Sequence, residues 1–427
     1  MPRHNILVAS IDGLRASSLG AYGNTAFATP SLDEFAAGSF LLDACFAPAM
    51  DLHGVYRALW QSLHPLRPMT SGMHVEDLPQ YLASRGYVTS LITDDSELPA
   101  FSTGEFTEII GSGADAEHSA PEARVPELTE TAMARLFAAA CDAVLSQARS
   151  APRLVWLHST GMYDQWDAPL ELQQSLREEG DPSPIESAMP PDLTMGGADD
   201  PDAVFQYSCA YAAQVMVLDK CWKALMAAVD SVRSEDGWII VLIGARGFPL
   251  GEHGRIGGVD PRLYGEQLHV PWLIRFPNGL GRLGRSGALT SHFDLFPTIA
   301  AGLEEASSAI LANVDGMDVS PLARSARAHW RDALLSASAT SRSIRTAGWC
   351  LRQDVAPDKR EAASTTEHSG GELYVRPDDR WEANDVAKLC TETVETLTKA
   401  IDDAWQHLLR NESIPMSVVA NSAAGTG

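Results

Sequence analysis

The sequence predicts an α/β protein built on a large, mostly parallel sheet buried on both faces and flanked by helices. Three observations support this. Ile6–Ala9 and Trp238–Ile243 are continuous apolar runs, too short for helices and too unbroken for strands with one wet face. Between Val75 and Thr93 an amphipathic helix gives way at Gly86 to a strand, the helix, turn and strand order of such folds. Asp12-Gly13 ends the first run in a sharp turn, which sets a lone carboxylate at the carboxyl edge of a strand, where open α/β sheets gather ligands.

The elements follow in order. Ser31-Leu32-Asp33-Glu34 reads as a capping box that opens a short helix ending near Gly38. A helix from Val75 to Ser84 leads to the strand Tyr87 to Thr93, and the chain is then polar and irregular from Asp94 to about Pro126. A helix through Glu127 to Arg149 precedes a buried strand, Leu154 to Ser159. Gln173 to Ala203 is rich in Pro, Asp, Glu and Gly and reads as a long surface loop that either covers a pocket or stands idle. Tyr207 to Val232 carries Val215, Leu218, Trp222 and Leu225 at helical spacing, a core-facing stripe. Val270 to Phe276 is a further strand, stopped by Pro277-Asn278-Gly279. The GxGxxG match that begins at Gly279 opens no helix and is followed by no acidic residue at the proper distance, so it reads as turns rather than a dinucleotide site. From about Ala326 the texture changes to short segments. The expected layout is an α/β domain at 1–325 containing the 173–203 loop, a small subdomain at 326–411, and a disordered Ser, Ala and Gly tail at 412–427.

Composition narrows the function classes. A formal net charge of −24 over 427 residues sets up a repulsive field toward nucleic acid and anionic membrane, so neither is expected as a partner. The six cysteines, at 45, 141, 209, 221, 350 and 390, form no CxxC pair, so neither a zinc knuckle nor a disulfide framework is expected, only buried reduced thiols. The first strand starts within a few residues of Met1, no signal peptide is expected, and no apolar run approaches the roughly 20 residues of a membrane span. The expected location is cytoplasmic.

Asp12-Gly13-Leu14-Arg15, then Leu19-Gly20-Ala21-Tyr22-Gly23-Asn24 and Thr29-Pro30-Ser31-Leu32-Asp33, resemble the opening of the sulfatase family, within the alkaline-phosphatase-like superfamily. The similarity returns at Leu250-Gly251-Glu252-His253-Gly254, at Asp294, Pro297 and Thr298, at Asp315-Gly316-Met317-Asp318, and at Leu373-Tyr374 through Asn384. The resemblance implies the sulfatase fold, with a small C-terminal antiparallel sheet closed by a helix, here Val386 to Leu409. It also implies ester hydrolysis at a divalent cation such as calcium, with a formylglycine nucleophile made from Cys or Ser in a Cys/Ser-x-Pro-x-Arg motif.

The residues depart from that chemistry. Asp12 matches the family's first metal ligand and Gly13 stands at the second. Where further ligands belong, ahead of Gly-Glu-His-Gly, Ala245 offers no oxygen and Arg246 brings a fixed positive charge. One carboxylate does not hold a hard cation that takes six or more oxygens. The simultaneous loss of a ligand and gain of a cation suggests that Arg246 pairs with Asp12 in the ion's stead.

The stretch from Phe46 to Gln61, FAPAMDLHGVYRALWQ, contains no Cys, Ser or Thr. Anchoring on Arg57 puts His53 at the nucleophile's place, and anchoring on Pro48 puts Met50 there; His53 or Asp51 is the only covalent candidate left. Cys45 lacks the motif's Pro and Arg. The family's supporting cations correspond to Thr93-Asp94-Asp95-Ser96, to Tyr163 and to Gly258, each a loss of positive charge or of a titrating group.

The expected site residues are therefore His53 and Arg57 as remnants of catalysis, Arg246 and His253 for binding, and Asp12 as a remnant metal ligand. The reading is a pseudo-sulfatase that needs no cofactor and binds an anionic or carbohydrate-like small ligand or a protein partner. The alternative is an active sulfate or phosphate ester hydrolase or transferase with a site rearranged around His53, Arg57 and Arg246.

Overall fold

A computed structural model describes residues 4–69, 76–111, 127–146, 151–196, 200–232, 237–303, 313–325, 328–355 and 371–420. In chain order the first ten strands are β1 (Asn5–Ile11), β2 (Phe40–Phe46), β3 (Val88–Thr93), β4 (Glu108–Gly111), β5 (Arg153–Ser159), β6 (Asp192–Thr194), β7 (Trp238–Gly244), β8 (Arg255–Gly257), β9 (His269–Arg275) and β10 (Gly284–Ser291). Eight of them form one sheet in the order β10-β2-β9-β7-β1-β5-β3-β4. The run from β7 to β4 is parallel, and β9 joins β7 antiparallel. β1 lies in the middle with Ile6, Leu7, Val8 and Ala9 wholly buried, the burial its unbroken apolar run requires.

The chain packs as two compact units. The first comprises Met1–Asp43, Asp77–Gly258 and Val270–Arg285. Its core sets Leu7 and Ala9 of β1, Val155 and Leu157 of β5, and Ile240 and Leu242 of β7 against three helices. These are Pro30–Ala37 with Phe35, Ala132–Leu145 with Phe137, and Pro201–Ser231 with Leu218 and Trp222. The i, i+2 spacing on the strands and i, i+4 spacing on the long helix bring one face of each into the same layer.

The capping box expected at Ser31 does not form. Pro30 occupies the first helical turn, so the helix begins earlier with Thr29 at its N-cap. Asp219, from the long helix, supplies the missing acceptor: its Oδ1 takes the amides of Ser31 at 2.8 Å and Leu32 at 2.9 Å. The helix expected through Glu127 to Arg149 runs Ala132–Leu145, and Arg149 lies outside the described residues.

The 173–203 stretch is built into the unit where it is described. Gln173 is buried and exchanges two hydrogen bonds with the Ile185 backbone, both 3.1 Å. β6 pairs antiparallel with β8, and the Met195 amide donates to the Gly254 carbonyl at 2.8 Å. Gly257 takes a positive φ of 71°, and a Cβ there would lie 1.8 Å from the Pro191 oxygen, so only glycine permits this approach.

The second unit comprises Ala44–Glu76, Val259–His269 and Ser286–Gly427, so packing divides the chain at points other than the 325–326 break in texture. β11 (Ala333–Ala337), β12 (Ser341–Thr346), β13 (Trp349–Asp354) and β14 (Glu372–Val375) form an antiparallel sheet in that order. The helix Thr391–Leu409 lays Leu397, Ile401, Ala404 and Leu408 on Leu335, Ile344, Leu351 and Leu373 of this sheet. The expected helix start at Val386 is displaced to Thr391.

The tail expected to be disordered from 412 is held to 420. Val418 is buried in the same core, and the Val419 and Ala420 amides reach Asp332 Oδ2 at 3.2 and 3.1 Å. Residues 421–427 lie outside the described residues. All six cysteines are free, and Cys45, Cys209, Cys221 and Cys350 are buried. No helix among the described residues is long and apolar enough to cross a membrane.

Candidate functional site

Strand register assembles the site. Ile11, the last residue of β1, stands level with Ser159 of β5 and Gly244 of β7, and Thr93 of β3 with His158. The residues that follow therefore meet at one sheet edge: Asp12, Asp94, Thr160 to Tyr163, and Ala245-Arg246. Two backbone bonds carry the ladder past the strand ends, from the Asp12 amide to the Ser159 carbonyl and from the Ala245 amide to the Ile11 carbonyl, both 2.9 Å.

Asp12 and Arg246 are paired. The Arg246 Nε donates to Oδ1 at 3.0 Å and Nη2 to Oδ2 at 2.5 Å, a two-pronged contact with both partners buried. The Gly13 amide adds a bond to Oδ1 at 3.1 Å. The guanidinium carbon lies 4.7 Å from the centre of the Tyr163 ring, whose hydroxyl donates to the Gly247 carbonyl at 2.8 Å. Burial pushes the Asp12 carboxyl above its ordinary range against the pull of Arg246.

A second ion pair stands beside the first in sequence on both sides. Arg15 Nη2 donates to Glu252 Oε1, and Glu252 Oε2 accepts the Leu250 amide at 2.9 Å. Burial pushes the Glu252 carboxyl up, but Arg15 and the backbone amides outweigh it and hold it below its usual range. Tyr211, on the long helix, ties this strap down: its hydroxyl accepts the Arg15 amide at 3.1 Å and donates to the Gly13 carbonyl at 2.8 Å. Sequence reading treated this helix as core alone and left Arg15 and Glu252 unpaired. The available signal was that two opposite charges sit in the two motifs that the parallel register converges.

Asp94 closes the other side. Its Oδ1 accepts the Thr160 amide at 2.7 Å and its Oδ2 the Ser159 hydroxyl at 3.3 Å. Burial pushes this carboxyl up to about 7. His158 is wholly buried, and desolvation with the nearby Arg246 charge pulls it down to about 3, so it is neutral at physiological pH.

His53 and Arg57 are on the helix Leu52–Gln61 of the second unit, His53 exposed. The Arg57 guanidinium donates to the backbone carbonyls of Pro65 at 3.0 Å and Arg67 at 2.5 Å, a brace for the loop after its own helix. Asp51 is the N-cap of that helix, its Oδ1 taking the Gly54 amide at 2.7 Å. Cys45 is buried, and desolvation raises its thiol far above the range of a reactive thiolate. His253 is half-buried in the turn between Gly251 and Gly254.

The donor set at the sheet edge does not fit a divalent ion. Both Asp12 oxygens face Arg246, Ala245 has no donor, and Gly13 has a φ of +75° with its absent Cβ only 2.7 Å from the Met162 Cβ, so no ligating side chain fits there. Among the described residues no group of three or more His, Cys, Asp and Glu is placed to hold a metal.

The Sulfatase family model matches residues 4–303. The chain belongs to the sulfatase family. An N-acetylglucosamine-6-O-sulfatase of Bacteroides thetaiotaomicron is 30% identical over 132 residues, a match that spans 30% of this chain and 23% of that protein. Among solved structures, the phosphonate monoester hydrolase of Agrobacterium radiobacter superposes with a TM-score of 0.73 at 17% identity over 93% of this chain and 94% of its own. The phosphonate monoester hydrolase of Silicibacter pomeroyi gives 0.73 at 16% identity over 96% of each chain. A structure solved with its substrate D-glucosamine-2-N,6-O-disulfate gives 0.69 at 15% identity over 95% and 98%. At these identities the superpositions establish the shared fold and nothing of the chemistry at the sheet edge.

Proposed function

We propose that this sulfatase-family chain has lost ester hydrolysis and serves as a binding protein for an anionic or carbohydrate-like ligand. The observation that carries the reading is the engagement of Asp12: both oxygens that would serve an ion are hydrogen-bonded to Arg246. Hydrolysis in this family needs an electrophile activated by a cation and an attacking atom beside it. Phe46 to Gln61 contains no Cys, Ser or Thr, and Asp51 is spent as a helix cap. The ligand class rests on the relatives, one named for N-acetylglucosamine-6-O-sulfate and one solved with a disulfated glucosamine.

The comparisons favour a second reading, an active sulfate or phosphate ester hydrolase or transferase, because two of the similar structures are phosphonate monoester hydrolases matched over nearly their whole length. Such an enzyme would work through His53, Arg57 and Arg246. Against it, Arg57 is held by two carbonyls and Arg246 by Asp12.

Turnover of 4-nitrophenyl sulfate and 4-nitrophenyl phosphate, with and without calcium, magnesium or zinc, separates the two. The binding reading expects no turnover above buffer, together with calorimetric binding of a sulfated glucosamine. Turnover abolished by His53→Ala establishes the enzyme instead.

A further inference from the structure

We propose that Arg246 is the resident cation of this site and that the chain itself fills the space its family gives to a divalent ion. The inference rests on the binding-protein reading but concerns a different property, the independence of the fold from metal. Arg246 and the turn from Gly161 to Tyr163 meet around the tip of β1. The guanidinium meets Asp12 through two nitrogens, as a fixed charge needing no exchangeable water. The turn after β5 sits directly on the strand tip: the Met162 amide donates to the Asp12 carbonyl at 3.0 Å, and Met162 Cβ lies against Gly13. Gly161 makes that approach possible, since with φ at 55° a Cβ there would lie 2.2 Å from the Asp12 oxygen. Tyr163, next in the same turn, backs the guanidinium with its ring.

These features act as a unit. A divalent ion at Asp12 would have to displace a buried guanidinium, and the displaced charge would stand beside the ion at unfavourable like-charge distance. Removing Arg246 instead leaves a buried carboxylate that, among the described residues, accepts from the Gly13 amide alone, a loss that a small planar cation entering the vacated space offsets.

Thermal unfolding tests this on the whole chain. The wild type is expected to melt at the same temperature after dialysis against EDTA as in millimolar calcium, magnesium or zinc. Arg246→Ala is expected to melt several degrees lower and to recover part of the loss in millimolar methylguanidinium, whereas equal sodium chloride has no effect. The paired variant Asp12→Asn with Arg246→Met removes both charges and is expected to melt closer to the wild type than Arg246→Ala does, which covers the case in which the single variant does not fold. A wild type that loses stability in EDTA and regains it with a divalent ion overturns the proposal, as does an Arg246→Ala variant as stable as the wild type. Ester hydrolysis by the wild type would overturn the binding-protein reading alone, leaving this one to the melting data.

Discussion

The buried pair Asp294–Arg331 of the second unit looks like Asp12–Arg246 of the first and differs in what surrounds the carboxylate. In the second unit Asp294 receives Arg331 through Nη1 and Nη2, both at 2.6 Å, and also the amides of Ser291 at 2.9 Å and Met317 at 2.8 Å. Its oxygens tie together the segments around Ser291, Met317 and Arg331, so it acts as a cross-brace within the second unit. Asp12 receives Arg246 and one neighbouring amide. The lesson is that burial and pairing alone do not say what a carboxylate is for. The two differ in how many backbone donors hold the carboxylate, two amides from separate positions at Asp294 against the adjacent Gly13 amide at Asp12.

The comparison predicts unequal costs. Asp294→Ala orphans a buried guanidinium and two amides, and is expected to lower unfolding stability by ~4 kcal/mol in urea titrations. Arg246→Ala is expected to cost ~3 kcal/mol, since one buried carboxylate is left and it is able to take a proton. If the two costs are equal, the distinction drawn from backbone donors is wrong.

Asp94 sharpens the contrast by pH. Its carboxyl, ordinarily near 3.8, is raised to about 7 in the folded chain, so the folded state holds a proton that the unfolded state has released. Its contribution to stability is therefore greatest below the unfolded value and is lost as pH rises from about 4 through about 7. Asp94→Asn keeps an acceptor for the Thr160 amide without the charge. The variant is expected to melt above the wild type at about pH 8, with the difference shrinking as pH falls toward 4.

The smallest effect belongs to Glu252→Gln, expected to cost about 1 kcal/mol or less, because the Glu252 side chain keeps 22% of its surface in solvent. A larger loss in chemical denaturation would make the Arg15–Glu252 pair, not Asp12–Arg246, the principal support of the strap after β1.

Much of this was legible in the sequence and some was not, for physical reasons. The apolar run of β1 and the Gly turn after it placed Asp12 at a sheet edge, and the appearance of an Arg where a ligand belongs pointed to its partner. Arg15 and Glu252 were equally visible as charges, but 237 positions separate them, and only the strand register says which charges meet. Asp219 capping the helix at Ser31, and Tyr211 joining the strap to the long helix, are likewise tertiary hydrogen bonds that local patterning does not encode. The 173–203 stretch read as loop because its composition is polar, while its order comes from pairing with residues near Gly254.

The most direct test is the metal content of the purified wild-type protein, measured by mass spectrometry after exposure to excess calcium, magnesium and zinc and removal of free ions. The account predicts substoichiometric amounts of each. One equivalent of a divalent ion, retained by the wild type and lost in Asp12→Asn, would contradict it.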